Sequence, residues 1–203
     1  GRAPELQGEW ILAVGNPVAS ERNVRFVDVD LNRCFGRDGK VRGAVCGPSG
    51  YEPGRAAELA PCLAGLDVLV DLHATNKPSV PFARLPGPID PNFFERCDRA
   101  FLAHLPRNCD TILWDPQFCI GAGSMTDECA LRYAPASSGA YVCYESGLAS
   151  DVSVVEGTAA AVDALLVNAG MLLEAPTAAP AVQRHWQHFE ILETFFLDER
   201  GFR

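Results

Sequence analysis

The apolar positions of this chain fall into two kinds of run. Short stretches rich in Val, Ile, Leu and aromatic residues, each closed by a turn or a polar cluster, predict strands at 10–14, 66–75, 111–114, 140–145 and 188–197. Stretches with a 3.6-residue apolar period predict helices. One follows Pro53 or Gly54, runs over 55–63 and is ended by Gly65. A second covers 92–105, with Asn92 as N-cap and Phe93, Phe94, Cys97, Phe101 and Leu105 on one face. A third covers 124–133, with Ser124 as N-cap and Asp127 at the third helical position. A fourth covers 152–173, with Val155, Ala159, Val162, Leu165, Leu166 and Ala169 on one side. The alternation of strands and helices predicts an α/β domain, with 10–14 and 66–75 forming a βαβ unit.

The stretch 66–75 organises the rest. Val68, Leu69, Val70 and Leu72 are apolar on both faces, as in a central strand covered from each side. The run ends in Asp71-Leu72-His73 and turns polar at Thr75. Ligands in open α/β sheets sit past the carboxyl ends of strands. Two-residue alternation puts Asp71 and His73 on the same side there. Such a histidine is a metal ligand or an acid–base group whose tautomer a nearby carboxylate fixes, or a strand-end side chain bonded to a loop carbonyl. Residues 76–91 hold five prolines and predict a rigid extended passage over the sheet.

A second informative stretch, 22–35, packs Arg22, Arg25, Arg33, Asp28, Asp30 and Asn32 around Phe26, Leu31 and Phe35. Guanidinium forks grip carboxylates bidentately, and an asparagine adds a donor beside them. The same residues also read as a loop stapled by its own ion pairs, or, over Asp28-Val29-Asp30, as a D-x-D metal motif. The strand at 140–145 ends in Glu145, either a carboxylate sharing a sheet edge with His73 or an exposed strand-end side chain. Gly121–Met125 does not match G-x-S-x-G, so a nucleophile elbow is unsupported. His104 reads as a helix C-terminal cap, and His185 and His188 as surface residues.

Composition narrows the partners. A net charge of -9 and a pI near 4.9 argue against nucleic acid or an anionic membrane surface as partner. A small anionic substrate remains compatible, because arginines can cluster locally. No apolar run reaches the ~20 residues of a membrane span, and the first residues lack a signal-peptide core. Eight cysteines without a C-x-x-C pair argue against a zinc knuckle and suggest buried thiols in a reducing cytoplasm. Residues 1–8 form a polar approach, which leads to the expectation of more chain upstream. The run 176–180 is linker-like, and Asp198-Glu199-Arg200-Gly201 marks a hairpin turn. The expected division is therefore a main domain over 1–175 and the beginning of a β module over 181–203.

Taken together, Gly15-Asn16-Pro17, Arg25-x-x-Asp28-x-Asp30-Leu31-Asn32-Arg33-x-Phe35, Asp71-Leu72-His73 and Tyr144-Glu145-Ser146-Gly147 resemble the succinylglutamate desuccinylase/aspartoacylase family of zinc carboxypeptidase-like hydrolases. The resemblance implies a mixed, mostly parallel sheet flanked by helices, followed by a small β domain. It implies hydrolysis of the amide of an N-acyl amino acid with one Zn2+. His73 would be a zinc ligand, Asn32 and Arg33 would hold the substrate carboxylate, and Arg25 would stabilise the oxyanion. Glu145 would be the general base that later passes its proton to the leaving amine. The family's other two ligands come from an upstream His-x-x-Glu, which these 203 residues do not contain. The chain alone is therefore expected to be metal-free or inactive, since a catalytic zinc needs three protein ligands. A carboxylate-binding scaffold without catalysis is the alternative from a different class.

Overall fold

The computed structural model describes residues 8–36, 50–121, 124–133, 139–172, 184–193, 197–198 and 201–202. Strands Val68–Thr75 (β1), Phe82–Pro86 (β2), Thr111–Asp115 (β3), Ala140–Leu148 (β4) and Gln187–Glu190 (β5) form one sheet in the order β1-β4-β2-β3-β5. Neighbours run parallel except β2 and β4, so the sheet is mixed and mostly parallel. Helices Pro17–Glu21 (α1), Tyr51–Leu63 (α2), Pro91–Ala100 (α3), Thr126–Tyr133 (α4) and Ser153–Asn168 (α5) flank it. α3 and α5 pack on β4, and α4 packs on β1, β2 and β4. The core lies between these layers, where Phe93 of α3 stacks 6.4 Å from Trp114 and 6.3 Å from Tyr141.

Several expectations need correction. Residues 10–14 form no strand, and Leu12 is 83% exposed. At its end Arg55 of α2 donates to Val14 O and Gly15 O, which ties the segment to a helix rather than to a neighbouring strand. The βαβ unit with β1 is therefore absent. β1 is an edge strand, not a central one, and Leu72 is half-exposed. The central position belongs to β2, and β4 lies between it and the edge, pairing with β1 on one side and β2 on the other.

The proline-rich passage contains β2. Pro78 and Pro81 precede it and Pro86 closes it, so residues 82–85 keep the N–H groups a ladder needs. The strand expected over 188–197 is four residues long and joins the main sheet beside β3. Leu197–Asp198 (β6) and Gly201–Phe202 (β7) pair antiparallel, Leu197 opposite Phe202. The boundary between 175 and 181, the linker at 176–180 and Cys46 lie outside the described residues.

The helices expected over 92–105 and 152–173 end five residues earlier, at Ala100 and Asn168, and the one expected over 55–63 starts four residues earlier, at Tyr51. Asp90, not Asn92, caps α3 by accepting from Asn92 N–H at 3.0 Å. α4 begins at Thr126, and Glu128 rather than Asp127 accepts the Met125 N–H. On α5 the buried residues are Ala161, Ala164, Leu165 and Leu166, while Val155 and Ala159 are exposed. In an Ala- and Val-rich helix both neighbouring stripes are apolar, so periodicity alone does not choose between them. Seven of the cysteines are free thiols, with Cys97, Cys109, Cys129 and Cys143 buried.

Candidate functional site

Two rungs of side chains cross the middle of β1 and β4, which run on past His73 to Thr75 and past Glu145 to Leu148, further than expected. The register pairs Asp71 with Cys143 and His73 with Glu145, and on the far side of β4 it pairs Arg84 with Cys143 and Phe82 with Glu145. Two-residue alternation turns Asp71, His73, Cys143 and Glu145 to one face. His73 Nε2 lies 3.0 Å from Asp71 Oδ2. Burial disfavours a charged ring, but Asp71, Glu145 and Asp127 override it and lift the His73 pKa to about 9. Burial is also the main cause that raises Glu145, with Asp71 adding to it against the pull of His73 and Arg25. Asp71 Oδ2 and Glu145 Oε2 are buried and lack hydrogen-bond partners among the described residues.

The arginine-rich loop is brought over these rungs by a carboxylate on another element. Glu52, in the first turn of α2, is fully buried. It accepts from Val27 N at 2.5 Å, Asp28 N at 3.0 Å, Val29 N at 3.3 Å and Asn16 Nδ2 at 2.9 Å. Burial pushes its pKa up, and these four donors more than offset that, leaving it below the ordinary value. Asn16 in turn caps α1 through Ala19 N–H, with Pro17 at the first helical position. Asp28 accepts the Tyr51 N–H at the start of α2, which leaves the D-x-D reading without support. Asp30 caps the 3-10 turn Leu31–Arg33 and pairs with Arg25 at 2.8 Å.

That turn meets α4. Thr126 N–H and Oγ1 both donate to Asn32 Oδ1, at 2.8 and 2.9 Å, which turns the Asn32 amide nitrogen toward His73 Nε2 at 3.4 Å. Arg33 Nη1 donates to its neighbour's carbonyl, Asn32 O, at 2.6 Å. Arg25, Asn32, Arg33, His73, Cys143 and Glu145 thus line one cleft of about 130 Å³. The five side chains to which the family resemblance assigns roles are all in it.

Arg84 forms the floor and was not foreseen. Its guanidinium is 2% exposed and pairs with Asp115 at 2.7 Å, Asp127 at 2.6 Å and Glu128. Asp115 is further held by Cys119 N–H and Ile120 N–H. Burial raises the Asp127 pKa to about 6 despite the attraction of Arg84. The prolines around β2 concealed Arg84. Cys143 was also missed, although its place two residues before Glu145 on a strand was a usable signal for a shared face. Among the described residues, Asp71, His73 and Cys143 form the group able to hold a metal ion, their ligand atoms all within 4.8 Å of one another. No described helix is long and apolar enough to cross a membrane.

Fold and cleft define an α/β domain whose polar chemistry gathers across β1 and β4 beside a metal-capable donor group. The chain belongs to the succinylglutamate desuccinylase/aspartoacylase family: the family's catalytic-domain model matches residues 5–109. A probable aspartoacylase from Nostoc sp. is 36% identical over 72 residues, which is 33% of this chain and 24% of that protein. The solved succinylglutamate desuccinylase/aspartoacylase of Rhodobacter sphaeroides superposes with a TM-score of 0.60 at 20% identity, over 87% of this chain and 50% of that one. A succinylglutamate desuccinylase of Vibrio parahaemolyticus gives 0.63 at 14% identity, over 97% of this chain and 58% of that one. Murine aminoacylase 3 gives 0.53 at 19% identity, over 75% and 50%. The sheet and its helices share the fold of these structures. This chain spans about a quarter of the curated relative and about half of the solved ones.

Proposed function

We propose that the cleft serves zinc-dependent hydrolysis of the amide bond of an N-acyl amino acid, the reaction class that the relatives' names describe. The observation that carries this is the meeting of His73, Glu145 and the Arg25/Asn32/Arg33 loop in one cleft. The residues present fit a metal: buried Asp71 Oδ2 has no hydrogen-bond partner among the described residues, and imidazole, carboxylate and thiol donor atoms lie within 4.8 Å of one another. His73 would hold it, with Asp71 and Cys143 beside. A bound divalent ion supplies Lewis-acid polarisation and makes water acidic enough to be deprotonated near neutral pH.

The chain's own groups do the rest. Arg33 and the amide nitrogen of Asn32 receive the substrate carboxylate, and the Thr126 clamp keeps that amide from flipping. Arg25 places positive charge where the carbonyl oxygen becomes anionic. Glu145, with one oxygen unengaged, takes a proton from water and returns it to the leaving amine. Free thiols support a reducing, cytoplasmic setting. The substrate is a small anion such as N-succinylglutamate or an N-acylaspartate, the kinds of molecule the relatives' names describe.

Because the 203 residues contain no His-x-x-Glu, hydrolysis by this chain alone is expected to be absent. The same observation favours a second reading, a scaffold that binds carboxylates without catalysis. Amine release from both substrates, measured with zinc for the chain alone and for the chain extended upstream by a relative's His-x-x-Glu segment, separates the two. We expect turnover only in the extended form, lost in Glu145→Gln while substrate binding persists. Turnover indifferent to Glu145→Gln, or no substrate binding by either form, overturns the proposal.

A further inference from the structure

We infer that Phe82, Ile120 and Met125 form a subsite for an uncharged acyl group, so that this chain takes amino acids with an aliphatic N-acyl group in preference to N-succinyl ones. The inference rests on the deacylase reading above and adds the kind of acyl group. Phe82 is the cross-strand partner of Glu145 in the register of β2 and β4, so its ring stands next to the carboxylate that takes the proton from water on that reading. Ile120 and Met125 line the same cleft, and Met125 is buried. Among the described residues three guanidiniums line it, and those of Arg25 and Arg33 both belong to the loop that receives the substrate carboxylate. With that carboxylate held at the loop, the acyl group on the far side of the amide meets Phe82, Ile120 and Met125.

The third guanidinium, Arg84, is committed to building this wall. It donates from Nε and Nη2 to Asp115, from Nη1 to Asp127 and from Nη2 to Glu128. The same acids hold the backbone of the apolar residues. Asp115 accepts the Ile120 N–H at 3.1 Å, and Glu128 accepts the Met125 N–H at 3.2 Å. One guanidinium among three carboxylates leaves that end of the cleft without positive charge to offer a ligand. A succinyl carboxylate would find there only the second N–H of Arg84 Nη1, in a buried place where three like charges oppose it. An alkyl group meets no such cost. It gains from leaving water, by about fourfold in affinity for each methylene buried. Met125 widens the range of alkyl shapes accepted, because an unbranched thioether adapts to what lies against it.

The test is calorimetric titration of the zinc-supplied 203-residue chain with N-succinyl-L-aspartate and with N-isocaproyl-L-aspartate, in which a branched alkyl end of the same shape replaces the succinyl carboxylate. We expect the isocaproyl compound to bind more tightly by about tenfold or more. Ile120→Lys places an ammonium in the wall and should move the ratio of the two affinities by about tenfold or more toward the succinyl compound. Val152→Lys, at an exposed position outside the cleft, should leave the ratio unchanged. Should Ile120→Lys fail to fold, the ratio measured on the unaltered chain decides alone. Equal affinities, or tighter binding of the succinyl compound by the unaltered chain, overturn the inference and leave the deacylase reading standing. A ratio that Ile120→Lys moves no more than Val152→Lys does the same. Binding of neither compound overturns the inference together with the carboxylate grip on which it rests.

Discussion

Arg84 is a fully desolvated cation among three carboxylates, on the strand beside the one that carries Glu145. Replacing it leaves Asp115, Asp127 and Glu128 buried against one another. Arg84→Met should therefore cost about 3–5 kcal/mol of stability, read as a lower urea midpoint. Arg84→Lys should recover little of it, because one ammonium cannot reproduce a planar fork serving three partners. A midpoint unchanged in Arg84→Met would show that the pairs contribute nothing. At the cleft itself, residue identities were largely legible: Arg25, Asn32, Arg33, His73 and Glu145 are all found there. Their short polar runs stand out against apolar neighbours. Arg84 and Cys143 were not legible, one hidden among prolines and the other resembling any buried thiol.

At the scale of elements, the first turn of α2 holds the loop of 27–29 through a single carboxylate. Glu52→Gln keeps the shape but replaces one acceptor oxygen with an amide facing backbone N–H groups. It should cost about 1–3 kcal/mol and loosen the loop that carries Arg25. The pKa of Glu52 lies below its ordinary value of 4.5 in the folded chain. Its contribution is therefore fully present above that value and is lost as pH falls through the lower folded one. Denaturation measured from pH 6 downward should show an acid-dependent loss that Glu52→Gln abolishes, and parallel curves would contradict this. Gly87 comes directly after β2, at φ +84 with Leu131 Cδ2 2.6 Å from where a Cβ would stand. Gly87→Ala should lower the melting temperature by about 4 °C or more, reflecting strain of about 1–3 kcal/mol.

Elements were legible where apolar runs were continuous. The strands predicted at 66–75, 111–114 and 140–145 correspond to β1, β3 and β4 within a few residues. Residues 10–14 show the limit, since apolar content alone does not say whether a neighbouring strand exists. The place of β1 at the edge was likewise invisible, because strand order depends on contacts across the whole chain. The polar residues of β1 and β4 were readable one strand at a time, and only the register between the strands makes them a pair.

For the whole molecule, the parallel register of β1 and β4 sets His73 and Glu145 side by side, and the clamps at Glu52 and Thr126 hold the loop of Arg25, Asn32 and Arg33 against them. The chain spans about half of the solved relatives and still contains these parts. On the proposed reading, recognition is expected to reside in these 203 residues and to be separable from turnover. Calorimetric titration of the zinc-supplied chain with N-succinylglutamate and an N-acylaspartate tests this most directly. The expected result is one binding site for at least one of the two, weakened at least tenfold by Arg33→Ala and by Asn32→Ala and retained in Glu145→Gln. Binding that ignores both Arg33 and Asn32, or no binding of either compound, would contradict it.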